Sequence, residues 1–145
     1  MKFLVDTSIL VEAERQRFDL GAWLRNAQEV HICDATVAEY LAGQPLKDEG
    51  KRRRWREFWT SLNLPSKPLN RQVCEQAGAL LALARGKGKT VSLGDGLHAA
   101  VAELHGLEVL KADVDHFLAM GVKARNPLLE TPPPSLAPDA GGRAA

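Results

Sequence analysis

The chain has 145 residues, 45% of them hydrophobic and 26% charged, with a formal net charge of +1. That length and balance describe one globular domain with a real hydrophobic core and exclude a multidomain chain. The near-neutral total excludes no partner by itself, because it can hide an acidic pocket beside a basic face.

The two cysteines, Cys33 and Cys74, each sit amid apolar residues. They argue against a disulfide framework and predict buried free thiols in a reducing compartment. No apolar run approaches the roughly 18 residues of a membrane span. The first strand-like segment begins at once, with no signal peptide before it, so a cytoplasmic protein is expected.

In chain order, Lys2–Val5 reads as a short strand and Ser8–Arg15 as a helix. Leu20, Trp23, Leu24 and Ala27 fall at helical spacing, and Val30–Cys33 is a second strand. Thr36–Ala42 is a helix stopped by Gly43 and Pro45. A longer helix is predicted over 46–62, because Trp55, Phe58, Trp59 and Leu62 repeat at i, i+3, i+4 and i+7. Lys67–Leu69 is a brief third strand, and Val73–Leu83 is helical. Leu97, Ala100, Val101 and Leu104 stripe one face of a helix over Gly94–His105, closed by Gly106. Glu108–Leu110 is a strand, Val114–Met120 a short helix and Gly121–Ala124 a last strand. Strands alternating with helices predict an α/β fold with a mostly parallel sheet covered on both faces. Thr131–Ala145 carries four of the eight prolines, so residues 128–145 read as a disordered tail behind a domain of residues 1–127.

Four acids stand just past structural boundaries in this scheme. Asp6 ends the first strand, Glu39 lies one turn into the helix after the second, Asp95 opens the helix at 94 and Asp113 follows the strand at 108. Ligands of an open α/β sheet bind outside the carboxyl ends of its strands, where such acids would converge. A cluster of hard oxygen donors suits Mg²⁺ or Mn²⁺ better than zinc or iron. Each acid also has a structural reading. Thr36-Val-Ala-Glu39 and Ser92-Leu-Gly-Asp95 have the form of capping boxes, while Asp6 and Asp113 can serve as N-caps. Capping and metal binding are compatible, since a carboxylate tied to backbone is a preorganised ligand.

The joint pattern carries a resemblance. The segments Leu4-Val5-Asp6-Thr7-Ser8-Ile9-Leu10, Ala35-Thr36-Val37-Ala38-Glu39-Tyr40, Gly94-Asp95-Gly96-Leu97-His98-Ala99-Ala100 and Val109-Leu110-Lys111-Ala112-Asp113-Val114-Asp115-His116-Phe117 resemble the four blocks of the PIN domain, in order and at the usual spacing. The resemblance is strongest to VapC-type toxins of toxin–antitoxin systems. It implies a three-layer α/β/α fold and an endoribonuclease dependent on Mg²⁺, with Mn²⁺ as substitute. It further implies a homodimer and a small antitoxin that pushes a cationic side chain toward the acid pocket. Asp6, Glu39, Asp95 and Asp113 fall on the family's acidic positions, Asp6 and Asp95 as principal metal ligands. Thr7 and Ser8 would support Asp6 or touch phosphate. The fourth block departs from the family at Lys111, where threonine is usual, which leaves Asp115 as a rival to Asp113.

The basic run Lys51-Arg52-Arg53-Arg54 is the densest on the chain and a candidate RNA contact, although a solvated helix face explains it as well. Trp55, Phe58 and Trp59 offer aromatic material for a dimer interface. His98 lies one turn beyond Asp95 and fits a structural role; no histidine shows metal-ligand spacing. Arg85-Gly-Lys-Gly-Lys-Thr90 fails the phosphate-loop pattern, which excludes nucleotide hydrolysis. Two other classes stay in view: an inactive PIN-like module that binds nucleic acid or a partner, and a small-molecule phosphatase, which would need an Asp-x-Asp after the first strand. Mutual repulsion of four carboxylates predicts that Asp6→Asn leaves the fold intact or slightly stabilises it.

Overall fold

The computed structural model describes residues 1–134. Five strands, β1 (Lys2–Val5), β2 (Glu29–Cys33), β3 (Ser66–Lys67), β4 (Glu108–Leu110) and β5 (Ala124–Arg125), form one sheet in the order β3-β2-β1-β4-β5. Every pairing is parallel, with Phe3 beside Val30 on one edge of β1 and beside Glu108 on the other. Parallel strands need crossover connections, and helices supply them. These are α1 (Thr7–Glu14), α2 (Leu20–Leu24), α3 (Asp34–Ala42), α4 (Glu49–Ser61), α5 (Arg71–Gly86), α6 (Leu93–His105) and α7 (Asp115–Ala119).

The helices divide between the two faces of the sheet, giving the expected three layers. Alternate β1 side chains point to opposite faces. Phe3 and Val5 join Ile9, Leu10, Trp23, Ile32 and Tyr40 in one core, while Leu4 joins Val73, Leu80, Ala99, Val101, Val109 and Phe117 in the other. Burial on both faces explains why β1 reads as a continuous apolar run. Each such Leu, Val or Phe contributes roughly 1.5–3 kcal/mol on leaving water.

The boundaries differ from the sequence expectation where local chemistry intervenes. Asp48 accepts from Lys51 N and starts α4 at Glu49, three residues after the expected Leu46. Pro68 cannot donate to a ladder, so β3 ends at Lys67. Gly121 adopts φ 71°, a turn conformation that delays β5 to Ala124. Gly106 closes α6 in the left-handed region, φ 65°.

Three other expectations change. Cys33 is buried but Cys74 is exposed, and both thiols are free. Trp55 stacks on Tyr40 with ring centroids 4.4 Å apart, and Trp59 stacks on it at 5.2 Å. The aromatic stripe of α4 therefore packs onto α3, with Trp55 buried and Phe58 and Trp59 partly exposed at the margin of that core. The proline-rich segment begins by docking: Pro133 is buried and its carbonyl accepts from Asn26 Nδ2 at 2.6 Å. Residues 135–145 of the expected tail lie outside the described residues. Among the described residues no helix is long and apolar enough to cross a membrane.

Candidate active site

Parallel pairing sets the carboxyl ends of β1, β2 and β4 along one edge. The backbone N–H of Asp6 still donates to Leu110 O (3.0 Å), so the residues following β1 and β4 leave the sheet side by side. Asp6 is the N-cap of α1 and accepts from Ser8 N at 2.9 Å through Oδ2. The N-cap reading of Asp6 therefore holds. Asp95 enters the same space from the first turn of α6, where Ser92 is the N-cap and accepts from Asp95 N at 3.1 Å. The Asp95 side chain does not reach back to complete a capping box.

Lys111, the first residue after β4, joins these two acids. Its Nζ lies 3.3 Å from Asp6 Oδ2 and 3.1 Å from Asp95 Oδ1, in a side chain only 16% exposed. The same ammonium stands 5.6 Å from the centroid of the Phe117 ring. Asp95 Oδ2 meets His116 Nδ1 at 3.0 Å. On the other flank His98, fully buried in α6, binds Gly94 O through Nδ1 (2.7 Å) and Thr36 Oγ1 through Nε2 (2.6 Å). Its Nε2 is also 3.6 Å from Asp6 Oδ1 and 3.8 Å from Glu39 Oε1.

These neighbours set the charge states. Burial alone would push the Asp6 carboxyl up, but His98, Lys111 and the Ser8 N–H more than offset it and hold the acid below its ordinary range. Burial likewise opposes protonation of His98. Cys33, Asp6 and the Gly94 carbonyl outweigh it and raise the imidazole to about 9. Burial works against the Lys111 ammonium too, and Asp6 and Asp95 reverse that effect, so its pKa is raised.

Glu39 belongs to the outer part of the site. Thr7 Oγ1 donates to its Oε1 at 3.0 Å, and the side chain is 47% exposed. A Cβ added at Gly94 would stand 3.0 Å from Glu39 Oε2, so glycine there leaves room for this carboxylate. Thr36 does not cap α3 with Glu39 in a capping box. The N-cap is Cys33, and the Thr36 hydroxyl is directed inward to His98. Thr7 therefore supports Glu39 rather than Asp6. Ser8 serves Asp6 through its N–H and also through its hydroxyl, both of which favour the ionised acid, and the same hydroxyl accepts from Ala112 N at 3.3 Å. Asp113 is exposed and its Oδ1 accepts from Asp115 N at 3.1 Å, a local turn contact before α7. Asp115 is exposed as well.

Beside Glu39 opens a cleft of about 790 Å³ whose lining includes Arg15, Arg17, Tyr40, Lys51 and Arg54. The basic run of α4 is thereby divided. Lys51 and Arg54 face the cleft, Arg52 pairs with Glu49, and Arg53 borders a separate surface with Arg56 and Thr60. Arg15 and Arg17, at the end of α1, are far from the run in sequence and join it only through the fold.

The donors bear directly on whether a divalent ion suits the site. Asp6 and Asp95 are oxygen donors that reach one point, and what they reach is already cationic. Among the described residues no three acidic, imidazole or thiol groups converge in a metal-binding set. The pair is suited in type and direction to a hard cation, with Lys111 at the shared position.

This is an α/β/α protein with a parallel sheet and an acidic site at its carboxyl edge. Within that class the chain belongs to the PIN-domain family, whose model matches residues 3–123. Among solved structures it is similar to FitAcB from Neisseria gonorrhoeae, at 26% identity and TM-score 0.72, over 90% of this chain and 100% of that one. DNA-bound VapBC from Salmonella typhimurium matches at 20% identity and TM-score 0.73, over 86% and 97% of the two chains. VapC20 of Mycobacterium tuberculosis, a sarcin–ricin loop cleaving toxin, matches at 20% identity and TM-score 0.62, over 86% and 99%. No curated protein sequence matches.

Proposed function

We propose that the chain is an endoribonuclease dependent on Mg²⁺, with Mn²⁺ as substitute, and the toxin of a toxin–antitoxin pair. The observation that carries this reading is the meeting of Asp6 and Asp95, 89 positions apart in the sequence, at one point on the carboxyl edge of the sheet. Similarity to a toxin that cleaves the sarcin–ricin loop supports RNA as substrate. Similarity to VapBC and FitAB proteins supports an antitoxin partner, and the proposed assembly is a homodimer in the cytoplasm.

In this reading Asp6 and Asp95 hold the ion, which when bound supplies a Lewis acid to the phosphodiester and makes a water acidic enough to attack it. The depressed pKa keeps Asp6 ionised and ready to bind. Thr7 holds Glu39 beside the pair, where it orients water or accepts a proton. Asp113 completes the acidic rim from the exposed side. Arg15, Arg17, Lys51 and Arg54 draw the RNA backbone into the cleft next to Glu39.

The test is cleavage of RNA in Mg²⁺ or Mn²⁺ with and without EDTA, alongside Asp95→Asn. Metal-dependent cleavage that the substitution abolishes is expected, and undiminished cleavage in excess EDTA overturns the mechanism. Substituting Lys51 and Arg54 together should weaken RNA binding and flatten its salt dependence, whereas Arg53→Ala should leave the slope alone. Equal effects would return the run to a solvated helix face. Light scattering tests the dimer, and a monomer at micromolar concentration counts against it. One observation favours a second reading, an inactive binding module: Lys111 already bridges the acid pair. The same cleavage assay separates the two.

A further inference from the structure

Lys111 stands one residue past β4, between two acids that reach it from β1 and α6. Asp6 and Asp95 each have one oxygen on the same ammonium, at 3.3 and 3.1 Å. No other cationic side chain among the described residues bridges them; His98 approaches Asp6 and His116 approaches Asp95, each from its own side. Both acids are largely buried, with side-chain exposures of 5% and 14%. Two carboxylates held this close in a dry environment repel one another unless a cation lies between them. Lys111 supplies that cation within the chain.

The anchoring of Lys111 is uneven. Its backbone is fixed to the sheet, since Lys111 N donates to Arg125 O at 3.0 Å. Its ammonium is a point charge on a flexible four-carbon stem, held by the two carboxylates and the face of Phe117. The stem can therefore swing toward solvent while β4 stays in place.

We propose that Lys111 is a built-in counter-cation which a divalent metal must displace from Asp6 and Asp95, so that the chain itself sets a threshold for metal binding. This rests on the reading of the two acids as a metal pair. Lys111 offsets the mutual repulsion of the two acids at low metal. At higher metal the ion takes the carboxylates and the ammonium moves outward, remaining close enough to weaken binding by like-charge repulsion.

The experiment is calorimetric titration of Mn²⁺, without RNA, into the full-length protein, Lys111→Gln and Lys111→Arg. Lys111→Gln removes the charge and should bind Mn²⁺ at least tenfold more tightly, while Lys111→Arg, which keeps it, should gain nothing. Equal affinity of the wild type and Lys111→Gln overturns the displacement and leaves the nuclease reading standing. Failure of all three proteins to bind Mn²⁺ overturns both. If Lys111→Gln proves too unstable to titrate, thermal melting in increasing Mn²⁺ decides instead. A larger Mn²⁺-induced rise in Tm for the variant supports the proposal, and an equal or smaller rise overturns it.

Discussion

The acid site has an inner half and an outer half, and the difference between them is greater than four equivalent carboxylates in a sequence suggest. Asp6 and Asp95 are sunk at the sheet edge and enclosed by Lys111, His98 and His116. Glu39 and Asp113 are exposed, one held by the Thr7 hydroxyl and the other by a backbone N–H two residues on. In the inner half each charge is part of the folded state's electrostatic balance. In the outer half solvent screens the charges, so their loss should leave stability nearly alone.

Asp6→Asn should show the largest effect. It leaves His98 and one side of Lys111 facing a neutral amide while Asp95 still holds the ammonium, a loss of up to about 3 kcal/mol. Urea unfolding should therefore move to lower denaturant, the reverse of what carboxylate repulsion alone predicts. A stabilised variant would mean the cations do not balance the acid. Thr36→Val comes next. It keeps the shape but removes the 2.6 Å partner of buried His98 Nε2, a loss of about 2 kcal/mol in the same measurement. No change would show that another group takes up that proton.

The outer half should respond weakly. Gly94→Ala crowds Glu39 Oε2 at 3.0 Å, and because that carboxylate is free to swing into solvent the stability change should stay below about 1 kcal/mol. Its effect belongs in RNA cleavage, which should fall as Glu39 is displaced. Glu39→Gln retains an oxygen to accept from Thr7 and should alter stability by less than about 0.5 kcal/mol while lowering cleavage. A large loss of stability in either variant would erase the distinction between the halves.

The sequence makes the order and type of all twelve elements legible, because hydrophobic period and boundary residues act locally: Gly106 ends a helix wherever the chain goes next. The approach of Asp6 and Asp95 to one point is legible through the parallel topology. What surrounds them is not. Lys111 is visible as an odd residue in its block, but its partners are set by the pairing of β1 with β4, a long-range fact. The signal available was its charge one residue past a strand, beside two predicted acid positions. His116 offers less, since no ligand spacing marks it and only the docking of α7 brings it to Asp95. Thr36 misleads, because a capping box and a buried hydroxyl share one local pattern, and only His98, 62 residues away, decides between them. The α4 tryptophans show the same limit: amphipathic spacing reveals a packing face, but only the fold shows that Tyr40 is what Trp55 and Trp59 stack on.

β1 lies at the middle of the sheet, and its two edges are completed at different times during synthesis. One edge pairs with Glu29–Cys33, within the first quarter of the chain. The other waits for Glu108–Leu110, and Lys111 then meets Asp6 across 105 positions. A ribosome adding about 5–20 residues per second needs several seconds to cover that interval. Through most of it the nascent chain carries Asp6 without Asp95, and until its end without Lys111. Competence at this edge is therefore acquired late in translation, after most of the scaffold has been made, and a chain released early carries no assembled acid pair at all.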